Sequence, residues 1–297
     1  MNKLQLQCKL DVLKVPNDKL SQTVFDLSAE DYKDFERGEW IDIIENPRGK
    51  LGKQVTTPFK LKYSGGFNDA KPLAILDRMI FSVCYSAYRK GWRGITVNQI
   101  CHFLTHGAND ENTQPTPALT DTITESVKRL MATTIEIDLS ETAKKMNYPF
   151  KRTKIIAPLL PCKLETWEVN GQEVQLITFF DENPLAEIAE AKNQIMTVSA
   201  KLFDVAGIRN TPQVMTLKGY LVTRISAMKQ HPKNLSNSIT YADIYARIGA
   251  ADAPKSSKQR IRAEILAIME SLKSEGIIRN FEVVKHGCAY HSIKIKL

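Results

Sequence analysis

One small helical module of this chain is echoed further along it. Ile95-Thr96-Val97-Asn98-Gln99-Ile100 returns about 144 residues later as Ile239-Thr240-Tyr241-Ala242-Asp243-Ile244, and further downstream Glu125-Ser126-Val127-Lys128 returns as Glu270-Ser271-Leu272-Lys273. Each copy follows a run with helical apolar spacing and leads into β-rich sequence. A repeat of this kind demands that one supersecondary unit be built twice, in the order helix, short helix, long helix, hairpin. Helices followed by a hairpin in each copy predict an α+β chain.

Composition allows two such units. At 297 residues, 43% hydrophobic and 25% charged, the chain can bury two cores. No run of 18 apolar residues is present, so no membrane span is expected. Met1-Asn2-Lys3-Leu4-Gln5 lacks the apolar core of a signal peptide. Cys8, Cys84, Cys101, Cys162 and Cys288 are odd in number, widely spaced and without a C-x-x-C pair, which predicts reduced thiols in a cytoplasmic protein. Charge is distributed unevenly. Of 41 Lys plus Arg and 33 Asp plus Glu, residues 211–297 hold 14 and 6, leaving 27 of each sign elsewhere. The whole excess of +8 therefore sits in the last third, as expected where one end of a protein meets a polyanion, although charge alone also serves solubility.

Residues 1–70 read as an N-terminal arm: a strand within Leu4 to Val15, a short helix capped at Ser28 with Asp31, and strand-like pieces around Lys60-Leu61-Lys62-Tyr63 between Gly49, Gly52, Gly65 and Gly66. Residues 71–206 form the first unit. Pro72 suits a first helical position, Leu73, Leu76, Ile80, Val83, Cys84 and Ala87 follow at helical spacing, and Gly91 stops the run. Thr96 caps a short helix ending before Gly107, and Thr116-Pro117 opens a longer one. Leu119, Ile123, Val127, Leu130 and Met131 make its buried stripe; Ala118, Asp121, Thr122, Glu125, Lys128 and Arg129 face outward. Ile135 to Leu139 alternates as a strand, and the basic segment Lys144 to Lys154 reads as a wing or an added loop, with Lys151 and Arg152 as candidate phosphate contacts. Lys163 to Val169 and Gln172 to Phe180 flank Asn170-Gly171, the dipeptide of a type I′ hairpin turn. Asn183-Pro184 opens a connector helix to about Lys192, Ile195 to Val205 reads as extended, and Gly207 to Pro212 as the linker.

Residues 207–297 form the second unit: a helix marked by Leu217, Leu221, Val222, Ile225 and Met228, a short helix capped by Thr240 and stopped at Gly249, and a long helix capped by Ser256 or Ser257 and ending at Ser274 before Gly276. Phe281 to Val284 and His291 to Leu297 supply a hairpin with Lys285-His286-Gly287 near its turn. This succession of elements is that of a winged helix, whose third helix enters a DNA groove while the hairpin grips the backbone. The predicted architecture is two winged-helix domains in tandem, the first enlarged by an extra β-hairpin and the N-terminal arm. DNA reading is assigned to the long helix of the second unit. Its outward face presents Ser256, Gln259, Arg260, Ala263 and Ala267, with Arg262 on the flank; small residues permit deep seating, and Gln and Arg can read base edges. Ser256 and Ser257 at the helix start suit a phosphate, and Lys258, Lys285, Lys294 and Lys296 suit backbone positioning. The alternative is a solvated amphipathic helix with incidental basic residues. In the first unit Thr122, Lys128 and Arg129 are the corresponding candidates, although Asp121 and Glu125 beside them would repel phosphates and suit a part in dimerisation instead.

Ala191-Lys192-Asn193-Gln194-Ile195-Met196-Thr197-Val198, leading through Leu202-Phe203-Asp204-Val205 into the basic second unit, gives residues 70–297 the texture of a known family. The chain resembles the plasmid and mobile-element replication initiators of the double winged-helix type. That resemblance implies binding of double-stranded origin repeats as a monomer, repression of its own promoter as a dimer, and recruitment of a host helicase or primase. An enzyme is not expected. No G-x-x-x-x-G-K-[ST] is present, and His102, His106, His231, His286 and His291 contain no His-x-His strand. His102 and His106 lie one helical turn apart, but Phe103 stands where a zinc peptidase motif needs Glu. His286, Cys288 and His291 read as turn and strand residues, and Asp181, Glu182, Glu187 and Glu190 as a solvated connector face. No metal or cofactor is therefore expected. A winged-helix transcriptional regulator and a non-DNA structural or interaction protein, such as a partition or scaffold protein, are the alternatives.

Overall fold

The structure, a computed structural model, describes residues 10–27, 39–45, 54–63, 73–106, 115–146, 148–169, 171–203, 205, 208–230 and 236–297. Among these the fold is α+β, with nine α-helices and twelve strands in four sheets. The chain divides into two compact units, each discontinuous in sequence. A C-terminal unit gathers residues 1–13, 101–119 and 197–297, and a central unit gathers 14–100 and 120–196. No described helix is long and apolar enough to cross a membrane.

In chain order the central unit opens with α1 (Lys19–Asp26), where Asp18 accepts the Ser21 amide at 3.2 Å as its cap. Strands β2 (Ile41–Glu45), β3 (Val55–Tyr63), β5 (Thr133–Asp138) and β6 (Lys154–Pro158) form an antiparallel sheet in the order β2-β3-β5-β6. Phe59 pairs with Ile137, Leu61 with Ile135, and Ile137 with Ile155. All five are buried, so the period of two sends one apolar set to one face. α5 (Ser140–Met146) meets this sheet through Thr142, whose hydroxyl lies 2.7 Å from that of Thr57. A second sheet joins β4 (Gly94–Thr96), β8 (Gln172–Phe179) and β7 (Cys162–Val169) in the order β4-β8-β7. Val169 pairs with Gln172, leaving the two-residue turn that Asn170-Gly171 demands, and Gly171 takes φ +75°.

Helices α2 (Ile75–Arg89) and α4 (Pro117–Ala132) share a buried polar link in this unit. Asp77 on α2, wholly buried, accepts from the Ser126 hydroxyl at 2.5 Å and Arg129 Nη2 at 2.8 Å, and from the Ala74 amide at 2.6 Å. A buried carboxylate is tolerated only with such a set of donors. α3 (Val97–His106) begins with a capping box in which Thr96 Oγ1 accepts the Gln99 amide at 3.1 Å and Gln99 Oε1 accepts the Thr96 amide at 2.9 Å. α6 (Pro184–Ala191) is capped by Asn183, with proline inside its first turn. β1 (Val12–Pro16) and β9 (Ile195–Ser199) pair as a two-stranded sheet.

The C-terminal unit is built on α7 (Pro212–Gln230), α8 (Tyr241–Arg247) and α9 (Lys255–Ser274), with β10 (Ser238–Thr240), β11 (Asn280–His286) and β12 (Ala289–Lys296) in the order β10-β12-β11. Thr240 caps α8 by accepting the Asp243 amide at 3.0 Å, and Gly249 and Gly276, both at φ +68°, follow α8 and α9. Ile261, Ile265, Ile268, Met269 and Leu272 form the buried stripe of α9. Ile239, Ile293 and Ile295 are buried on the sheet. Lys218 on α7 is wholly buried; its ammonium donates to the carbonyls of Phe203 at 2.9 Å and Thr105 at 3.2 Å and to Asn210 Oδ1 at 2.8 Å. Those carbonyls close the 3-10 turn Ala200–Phe203 and the last turn of α3, where the helix dipole favours a cation.

The repeat is thus also a repeat of strand pairing. At both copies of the repeat a three-residue strand leads into a short helix and pairs with the second strand of the hairpin, β4 with β8 and β10 with β12. The central unit differs by inserting β5, α5 and β6 between its long helix and its hairpin.

Several local expectations need correction. α9 is capped by Pro254, not Ser256 or Ser257, which lie inside its first turn. α2 starts at Ile75, not Pro72, because the Asp77 carboxylate takes the Ala74 amide. Part of the basic segment 144–154 is helical in α5, where Lys145 pairs with Glu141 one turn earlier. The extended run expected over 195–205 turns into the 3-10 helix after Ser199. Helix α1 has no counterpart among the expectations from sequence, and the helix expected at Ser28, the glycine punctuation at 49, 52, 65 and 66, the stop at Gly107 and the start of the linker at Gly207 lie outside the described residues.

Candidate nucleic-acid interface

The outward face of α9 presents Ser256, Gln259, Arg260 and Ala263, all exposed, with Ser257, Lys258 and Arg262 half-buried beside them. Its first turn is uncapped by any side chain. The Lys258 amide bonds the Pro254 carbonyl at 3.0 Å, so the amides of Lys255, Ser256 and Ser257 precede the first intrahelical bond and carry the positive end of the helix dipole. Proline produces this arrangement because it supplies an extended residue and no competing side-chain acceptor.

Tyr290 ties that helix to the hairpin. Its ring centroid lies 4.5 Å from the Arg262 guanidinium of α9 and 4.5 Å from Lys285 Nζ of β11. Lys285 is the cross-strand partner of Tyr290, next to a register shift at Val284/Lys285 that increases the local twist. Tyr241 of α8 meets Tyr290 edge-on at 5.5 Å, and Tyr245, one turn later, receives Arg262 Nη1 at 3.4 Å. Lys258 Nζ donates to the Ala251 carbonyl at 2.5 Å and stands 5.4 Å from the Tyr245 ring. Three cations from the helix and the hairpin therefore rest on two tyrosine rings, Tyr245 and Tyr290, which attract positive charge without neutralising it. The Tyr241 hydroxyl is buried without a hydrogen-bond partner among the described residues, and burial, with Tyr245 and Tyr290 adding to it, pushes its phenol up to about 12.

Arg260, 68% exposed at its side chain, reaches Glu264 Oε1 at 3.8 Å and Gln213 at 3.5 Å, both long. Burial raises the Glu264 carboxyl above its ordinary value, Arg260 opposes the rise, and Oε2 has no partner. Lys294 is exposed on β12, opposite Glu282 and Ser238, and Lys296 opposite Asn280. At the hairpin end His286 and His291 stack with ring centroids 4.1 Å apart at 14°, and Cys288 is exposed. No group of three or more His, Cys, Asp or Glu stands close enough to hold a metal among the described residues.

The candidates of the central unit stand in different company. Lys128 pairs with Glu125 at 2.8 Å, Arg129 with the buried Asp77, Lys151 with Glu182 at 3.0 Å, and Arg152 with Glu187. Hydrogen bonding to those carboxylates, first among the causes, raises the Lys151 and Arg152 proton affinities. Thr122 is half-buried on α4. Lys258, Arg262 and Lys285 are thus brought together on one aromatic base, while each of the four basic candidates of the central unit faces an acid. Tyr241, Tyr245 and Tyr290 were not singled out from sequence. Their available signals were the i,i+4 spacing of Tyr241 and Tyr245 on a helix and the alternation that sets Tyr290 against Lys285.

No protein-family model matches the chain, and no curated protein matches it. Two solved structures do: the crystal structure of domains 2-3 of RctB, with a TM-score of 0.41 and 9% identity, and that of selenomethionine derivatives of domain 2 and domain 3 of RctB, with a TM-score of 0.38 and 11% identity. Each match covers 87% of this chain and 92% of the other.

Proposed function

We propose that the chain is a non-enzymatic, sequence-specific DNA-binding initiator of replication, reading origin repeats of a plasmid or mobile element in a cytoplasm, with both units built on winged helices. Functionally it divides into an arm at 1–70, a first domain at 71–206 and a basic reading domain at 207–297. The observation that carries this is the continuity of one cationic surface: the uncapped start of α9, then Lys258 and Arg262 on Tyr245, then across Tyr290 to Lys285 on the hairpin. A helix in the major groove and a hairpin on the flanking backbone need that continuity, because phosphate contacts set the register in which side chains meet base edges. Gln259 and Arg260 are assigned to bases; Ser256, Ser257, Lys258, Lys285 and Lys294 to phosphates. A host helicase or primase and a monomer-dimer equilibrium belong to the same proposal.

The test is binding of duplexes from beside the coding region across a salt series. Neutralisation of several phosphates gives a log-log slope of roughly −0.9 per contact, and binding indifferent to salt would sink the proposal. The regulator alternative separates by footprint, since an initiator protects tandem repeats and a dimeric regulator a lone palindrome.

A further inference from the structure

The hairpin of the central unit has the same connection to its three-residue strand as the basic hairpin, yet its surface is inverted. β7 and β8 carry Glu165, Glu168 and Glu173 against Lys163 alone, and Lys163 is already paired with Glu165 at 3.0 Å. Glu168 and Glu173 are exposed and lie directly opposite each other across the ladder, with no ion-pair partner among the described residues. Like charges at facing positions destabilise a sheet, so the pair lowers the stability of the hairpin in isolation. Two residues away on the same face, Gln175 meets Thr124 of α4 at 2.5 Å, and exposed Asp121 lies one turn before Thr124. The long helix and the hairpin thus both present negative charge where the C-terminal unit joins its helix and hairpin through Arg262, Tyr290 and Lys285. On the other face of β7, an edge strand of its sheet, Trp167 is 48% exposed. An indole is the side chain best suited to receive a guanidinium or ammonium on its face.

We infer that the β7–β8 hairpin is a protein-docking element whose occupant is the basic C-terminal unit of a second copy of this chain. Charge complementarity selects that occupant: residues 211–297 hold the entire +8 excess, and their cations are not neutralised by the tyrosines they rest on. Docking straddles the edge strand β7, relieving the Glu168/Glu173 repulsion on one face and covering Trp167 on the other. It joins two different surfaces, so each contact is heterologous, building a ring where the rotation closes and an open chain where it does not. It requires only the charges described, whether or not the basic surface reads DNA.

Sedimentation velocity of the full chain at about 50 mM and about 500 mM salt tests the inference, because exposed charge pairs are screened over that range. Association is expected at low salt and dissociation at high salt. E168Q/E173Q, which removes the repulsion and so does not threaten folding, should weaken association about tenfold or more, and Trp167→Ala should weaken it also. E168K/E173K should abolish self-association, and mixing that variant with a chain carrying Arg260→Glu and Lys285→Glu should restore it. A chain that is monomeric at low salt, or association untouched by the hairpin substitutions, overturns the inference. Duplex binding by E168Q/E173Q is a separate readout, so a failure of DNA binding and a failure of docking are told apart.

Discussion

The two units use one order of elements to opposite electrostatic ends. In the central unit every basic residue singled out from sequence meets a carboxylate, and one of these pairs, Arg129 with Asp77, closes over a buried charge. In the C-terminal unit the cations lean on Tyr245 and Tyr290, or on a distant Glu264. The difference teaches that basic residues on a helix say little about ligands until their partners are known. A carboxylate at 2.8 Å spends a guanidinium on the fold. A tyrosine ring at 4.5 Å orders it and leaves its charge free for something else.

The contrast breaks most readily at Arg129. Arg129→Ala strands Asp77 without its cation in the core and should cost about 3 to 5 kcal/mol of stability, read as a lower urea midpoint, with little change in duplex affinity of the folded fraction. Loss of affinity without loss of stability would place Arg129 in a DNA site after all. Arg260→Ala should behave in reverse, weakening the preferred duplex by roughly 1 to 3 kcal/mol while the unfolding midpoint stays in place. Tyr290→Leu keeps the bulk but removes the π face from Arg262 and Lys285. Affinity should fall by about 1 kcal/mol, with an unchanged salt slope because no phosphate contact is lost.

A smaller effect lies in pH. Glu264 has a raised proton affinity in the folded state, so folding is favoured when it is protonated: its burial is unpenalised below the ordinary carboxylate range, and stability declines as pH rises through the raised value. Glu264→Gln should flatten the part of the stability profile just above the ordinary carboxylate range, measured by urea unfolding. An unaltered profile would show that Arg260 already satisfies the carboxylate.

Helices whose stripes and stops are local were legible from the chain. α9 runs to Ser274 before Gly276 as its spacing demands, and Asn170-Gly171 fixes the two-residue turn between β7 and β8. What the sequence concealed depends on distant partners. Asp77 and Arg129 are 52 residues apart, Arg152 and Glu187 35 apart, and neither pair lies on a shared element. The aromatic base needed Tyr290 to be placed against α8 and α9 by strand register, which no helical wheel supplies. Lys218 was hidden for a different reason: a lysine beside an apolar stripe reads as solvated, and only the arrival of three acceptors lets it be buried.

That buried ammonium makes assembly of the C-terminal unit order-dependent. Its acceptors come from positions 105, 203 and 210, so α7 cannot settle natively until a strand of chain from more than a hundred residues upstream has threaded back to meet it. A fragment severed after residue 206 would carry the bolt without its keeper.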